Sequence, residues 1–190
     1  QSFYINSGDG KTKYEDFFVK ELIPHIEKNF KVKSEKRFRG IAGLSMGGFG
    51  SLILSLKHPD LFAAAAPLSA AVWSDNDIIN LDKGMYNTLF AKSMGENLVG
   101  KDRLTETYLE NSPFNYIQKK TKEELSKVRY WIDCGDDDFL TAGNALLHIE
   151  LVKKNVPHEF RMRDGGHNWT YWRTGIIDAL SFIGDSFHQK

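Results

Sequence analysis

The sequence predicts an α/β protein, a mostly parallel sheet flanked by helices, and three observations carry that prediction. Short apolar runs alternate with longer amphipathic segments, the rhythm of βαβ units. A glycine-rich turn, Gly43-Leu44-Ser45-Met46-Gly47, joins one apolar run to a helical segment. The 190 residues, 41% hydrophobic and 26% charged, fit a single domain over 1–190 with one core.

The elements follow in order. Residues 14–30 set Phe17, Phe18, Leu22, Ile26 and Phe30 at helical spacing, and Pro24 inside that pattern predicts a kink or a division. Residues 37–43 read as a short buried strand. Residues 47–57 read as a helix stopped at His58-Pro59. Residues 61–69 read as a second buried strand. Over 70–126 the rhythm breaks, with short helices expected near 76–81 and 104–110. A connection of that length is too long to be plain, so the segment is expected to be an inserted cap over one end of the sheet. The pattern resumes with a strand at 128–134, a helix at 142–154, a strand at 159–163 and a closing helix at 171–187. Open α/β sheets carry their chemistry in the loops after strand ends.

Composition excludes several classes of partner. Twenty-five basic residues balance 25 acidic ones, so no global field holds a nucleic acid or an anionic membrane. Aromatic residues, at 13%, are too many for a disordered chain. The single cysteine, Cys134, excludes an internal disulfide and a cysteine-based zinc site. The longest apolar stretch, 61–73, is interrupted by Pro67 and Ser69 and is too short to span a bilayer. The chain starts at Gln1 rather than Met, which reads as a processed or truncated end.

The chemistry centres on Ser45. Gly43-x-Ser45-x-Gly47 fits G-x-S-x-G, and its place between strand and helix is the context that gives the motif meaning. A nucleophilic serine must project from a sharp turn whose flanking backbone passes close to its neighbours, which calls for glycine. The helix starting near Met46 aims backbone N–H groups toward developing oxyanion charge. Of the histidines, His167 lies in a loop directly after the last predicted strand, beside Gly165 and Gly166, and is the candidate base. A base needs an orienting carboxylate, and Asp136, Asp137 and Asp138 all follow the 128–134 strand. Position alone leaves the three open; the adjacent Phe139-Leu140 favours Asp138 at the border of the apolar interior. The order Ser45, Asp138, His167 is that of the α/β-hydrolases.

Several stretches resemble one family. They are 21–27 (Glu21-Leu22-Ile23-Pro24-His25-Ile26-Glu27), 41–50 around Ser45, 57–62 (Lys57-His58-Pro59-Asp60-Leu61-Phe62), 134–140 and 165–169. Together they are similar to the “Putative esterase” family, which holds feruloyl, acetyl-xylan and small-ester esterases, S-formylglutathione hydrolase and the mycolyltransferase antigens. The resemblance implies an α/β-hydrolase fold, with Asp138 as the triad acid and His167 as the base. His167-Asn168-Trp169-Thr170-Tyr171-Trp172 is similar to the feruloyl and small-ester branch.

The resemblance therefore implies a serine esterase that uses no metal or organic cofactor. Its expected substrates are carboxylic esters, small or polysaccharide-linked, such as feruloyl or acetyl groups on plant polysaccharide. Leu44, Trp73, Phe139 and Trp169 are expected to line the substrate site, and Trp172 to pack the core. A secreted or periplasmic home follows from that substrate. The alternatives are an acyltransferase to a sugar hydroxyl, a thioesterase like S-formylglutathione hydrolase, and a non-catalytic carbohydrate-binding module. The family also carries N-terminal strands and a His-Gly loop that supplies an oxyanion donor. Those strands are expected to be missing from this chain. Met46 N–H is then the first donor, and the second would come from the missing segment, as a separate chain, or from a homo-oligomer.

Overall fold

The computed structural model describes residues 2–188. In chain order, α1 (Tyr14–Asp16), a π-helical stretch (Phe17–Leu22) and α2 (Ile23–Asn29) precede β1 (Gly40–Leu44), α3 (Met46–Lys57) and β2 (Ala64–Leu68). A run of short helices follows: α4 (Asp75–Asn80), α5 (Lys83–Leu89), α6 (Ala91–Met94), α7 (Glu106–Asn111), α8 (Pro113–Lys119) and α9 (Lys122–Leu125). The chain closes with β3 (Arg129–Gly135), α10 (Thr141–Lys153), β4 (Glu159–Arg163) and α11 (Trp169–His188).

The strands lie side by side in the order β1-β2-β3-β4, all parallel. Side chains alternate across the sheet as the pleat requires. Ala65, Tyr130 and Ile132 join Leu52, Ile53, Leu147 and Leu151 on the face covered by α3 and α10. Ala64, Ala66, Leu68 and Trp131 face α11, where Trp172, Ala179, Phe182 and Ile183 meet them. Pro67 has no N–H to give, and the β2–β3 ladder omits positions 66 and 67.

Three local departures from the sequence expectation have physical causes. Residues 14–30 are not divided at Pro24. The helix widens into π turns just before it, and Ile23 N–H bonds to Phe18 O, five residues back. That widening accommodates a residue with no N–H and a ring that would crowd the carbonyl four residues earlier. The first strand starts at Gly40, because Lys36–Phe38 forms a 3₁₀ turn. The 70–126 segment is more helical than expected. Ser74, Asp82, Thr105, Ser112 and Thr121 each accept a backbone N–H at a helix start, and Ser74–Asp77 and Thr121–Glu124 form capping boxes. Ile78, Tyr86, Phe90, Tyr108 and Ile117 from this segment bury into the same cluster as α3. Among the described residues no helix is long and apolar enough to cross a membrane.

Candidate active site

Ser45 stands alone between β1 and α3, with φ 56° and ψ −119°. That conformation is costly for a residue with a side chain and is held by its neighbours. Ser45 N–H donates to Leu68 O at 3.0 Å, and Ser45 O accepts from Ala71 N–H and Phe49 N–H, each at 3.0 Å. The turn closes only because position 43 lacks a Cβ, which would overlap the Gly47 carbonyl. Ser45 thus projects from the end of β1, and the first N–H groups of α3, Met46 among them, have no partner within the helix.

Asp138 follows β3 and is 4% exposed, whereas Asp136 and Asp137 are exposed. Its Oδ1 accepts from Leu140 N–H at 2.9 Å, and its Oδ2 lies 2.8 Å from His167 Nδ1. His167 Nε2 in turn lies 2.9 Å from Ser45 Oγ. An ionised carboxylate only accepts, so His167 Nδ1 carries the proton and Nε2 is left to accept the Ser45 hydroxyl. The other histidines with bonded partners meet different groups: His25 meets Asn29, His58 meets Glu15, and His148 pairs with His158.

The His167 loop is braced from below. Gly165 takes φ 138°, a region that disfavours any side chain. Gly165 N–H donates to Asp136 Oδ1 at 3.0 Å, and Gly165 O accepts from Asp137 N–H at 3.1 Å. Beneath them buried Asp133 accepts from Tyr171 OH and from Arg163, whose guanidinium lies over the Tyr171 ring. Burial, with Asp133 beside it, pushes the Tyr171 hydroxyl above its ordinary range, so it stays protonated and donating. Sequence reasoning passed over Asp133 and Tyr171. The available signal was an acid inside an otherwise apolar strand, which must find buried partners.

Of the four expected substrate-lining residues, the structure sets Phe139 directly against the group. The Phe139 ring is 70% exposed and packs 4.6 Å from the His167 ring. Trp169 is 61% exposed and stands edge-on to Trp172 at 5.5 Å. Leu44 lines an apolar pocket with Trp169, Trp172 and Ile176. Trp73 goes elsewhere: it packs on Phe90 and Phe3 in the aromatic group on the α3 side. Trp172 is buried, as expected, yet it also meets the His167 ring edge-on at 4.7 Å. Asp136, Asp137 and Asp164 each place a carboxylate oxygen within 4.8 Å of the others, all exposed, the arrangement nearest to a cation site among the described residues.

Comparison with known proteins matches this architecture. The family profile described as “Putative esterase” covers residues 2–183. An acetyl esterase of Caldicellulosiruptor saccharolyticus is 26% identical over 183 residues, 96% of this chain and 68% of its own length. A ferulic acid esterase structure superposes with TM-score 0.78 at 34% identity, over 97% of this chain and 64% of that one. The Staphylococcus aureus fluorophosphonate-binding serine hydrolase FphF superposes with TM-score 0.79 at 30% identity, over 96% of this chain and 67% of that one. The chain thus spans about two thirds of the length of these relatives. Sequence, sheet order and superposition agree: the chain has the α/β-hydrolase fold and belongs to the “Putative esterase” family.

Proposed function

We propose that this chain carries the catalytic group of a serine esterase, with Ser45 as nucleophile, His167 as general base and Asp138 as its orienting acid. The unbroken line from Ser45 Oγ through His167 to Asp138, at 2.9 and 2.8 Å, carries the reading. Ser45 Oγ attacks the ester carbonyl carbon while its proton moves to His167 Nε2. Asp138 stays ionised and stabilises the imidazolium. The tetrahedral intermediate collapses, His167 returns the proton to the departing alkoxide, and an acyl-enzyme remains. Water then attacks with His167 again as base, releasing the acid.

Met46 N–H, at the start of α3, is the first oxyanion donor. The second would come from a segment seated on β1. That strand is the sheet edge, and apolar pockets lie on both sides of it. One is lined by Tyr4, Phe18, Ile41 and Leu54, and the other by Ala42, Leu68, Trp169 and Ile176. Such a segment could belong to a longer form of this polypeptide or to a separate chain.

The exposed Phe139 ring against His167 favours an ester with a flat apolar group such as feruloyl; feruloyl esters, or the smaller acetyl esters, of plant polysaccharide are the proposed substrates, met outside the cytoplasm. The test is hydrolysis of methyl ferulate and p-nitrophenyl acetate by the full chain, with Ser45→Ala and His167→Gln beside it. Ester cleavage lost in both variants supports the reading. Cleavage that survives Ser45→Ala refutes it, and transfer to an added sugar in preference to water would make the protein an acyltransferase.

A further inference from the structure

We propose that Ser69, Trp172 and Asn144 are positioning residues for Ser45, His167 and Asp138, linked through the loop 68–72 that follows β2; this rests on the catalytic reading of those three. The loop grips the nucleophile directly. Leu68 O accepts Ser45 N–H and Ala71 N–H donates to Ser45 O, so both ends of the Ser45 residue are held by it.

Between those two contacts Ser69 is fully buried and takes φ 42°, a left-handed conformation that side chains disfavour. The conformation has two consequences. Ser69 N–H donates to Asp133 O at 2.6 Å, and Ser69 Oγ accepts Trp172 Nε1–H at 3.0 Å. The indole held in this way stands edge-on to the His167 ring, 87° between planes. One arm of the loop therefore reaches the base.

The other arm reaches the acid. Asn144, fully buried on α10, gives Nδ2–H to Ala70 O and to Leu140 O, each at 2.9 Å, and accepts Ala70 N–H at 3.2 Å. Leu140 N–H is the donor to Asp138 Oδ1. A single amide thus ties the loop beside Ser45 to the turn that carries Asp138.

Both residues break a local rule. Asparagine is a poor helix former, and a left-handed serine is strained. The polar side chains answer buried partners: alanine at 69 would leave Trp172 Nε1–H unmet, and alanine at 144 would leave Ala70 N–H unmet. Local violations of this kind are what a site that needs fixed geometry tolerates.

The experiment uses the full chain with Ser69→Ala, Ser69→Gly, Asn144→Leu, Trp172→Phe and the Ser69→Ala/Trp172→Phe double variant. Three quantities are read: kcat and KM on p-nitrophenyl acetate, the melting temperature, and the low-field proton resonance of His167 Nδ1–H. Both Ser69 variants and Asn144→Leu should lower kcat about tenfold or more with KM within about twofold. Ser69→Gly relieves the strained φ, so its kcat should fall even where its melting temperature does not. Ser69→Ala should cost little further in the Trp172→Phe background, because it acts through that indole. The low-field resonance should move or broaden in the single variants. Unchanged kcat and resonance in Ser69→Ala and Ser69→Gly, or full additivity in the double variant, overturns the proposal. Turnover that survives Ser45→Ala would sink the catalytic reading instead. The resonance would still report whether Ser69 and Asn144 hold the His167–Asp138 pair.

Discussion

Replacing Asp138 by asparagine removes one charge and almost no volume, and the structure gives its cost. The carboxylate accepts two hydrogen bonds, from Leu140 N–H at 2.9 Å and from His167 Nδ1 at 2.8 Å. An amide has one oxygen to offer. If that oxygen faces His167, the NH₂ opposes Leu140 N–H, and at 4% exposure no water relieves the conflict. Such an unmet buried donor costs about 1–3 kcal/mol. If the oxygen faces Leu140, the NH₂ donates to Nδ1 and the imidazole proton moves to Nε2. The atom beside Ser45 Oγ then has no lone pair to take a proton. Either way the imidazolium loses its counter-charge. The expected loss in kcat is about 10⁴-fold, which is about 5.5 kcal/mol at 1.36 kcal/mol per decade. Asp137→Asn changes an exposed group, and Asp136→Asn keeps an oxygen for Gly165 N–H, so both should stay within about threefold of the parent. The assay is steady-state hydrolysis of p-nitrophenyl acetate by the three variants. Equal losses at all three positions, or Asp138→Asn within tenfold of the parent, would refute the assignment.

Other expectations follow from the same geometry. Gly43→Ala drives a Cβ into the Gly47 backbone, so it should cost several kcal/mol and abolish turnover, visible as a collapsed melting temperature. Arg103, 3% exposed, gives its guanidinium to the carbonyls of Ile78, Ile79, Leu81 and Leu98 and lies over the Tyr86 ring, and Arg103→Ala removes all of these charge-assisted contacts at once. A loss of about 3 kcal/mol is expected, or about 6–12 °C in melting temperature for a chain of this size. Burial by itself would raise the Glu15 carboxyl, but hydrogen bonds from His58 and Lys57 and the Lys57 charge outweigh it and hold it below the ordinary glutamate range. The stability this group contributes is full above that range and lost as pH falls through the lowered value, so Glu15→Gln should flatten the acid limb of melting temperature against pH.

Much of this arrangement was legible in the sequence because it rests on local constraints. The turn at Ser45 requires Gly43, and of the Phe139-Leu140 pair only buried Leu140 marks the acid that turns inward, Phe139 standing out in solvent. The π turns before Pro24 were not legible. Proline announces a broken hydrogen bond, but only packing of Phe18, Val19 and Ile23 against the core decides whether the helix stops or widens. The helices of 70–126 were partly legible: those expected near 76–81 and 104–110 form as α4 and α7, while the others were missed. Their segments are too short for periodicity to show. The Asp133–Tyr171–Arg163 group and the Ser69–Trp172 bond join residues 8 to 103 positions apart in the chain, and no local pattern reports such a pairing.

The most direct test of the central claim is the intact mass of the full chain after exposure to a fluorophosphonate. One adduct per chain, absent in Ser45→Ala and formed far more slowly in His167→Gln, is the expected result. An adduct that persists in Ser45→Ala, or an unmodified chain under conditions that label other serine hydrolases, would contradict an activated Ser45.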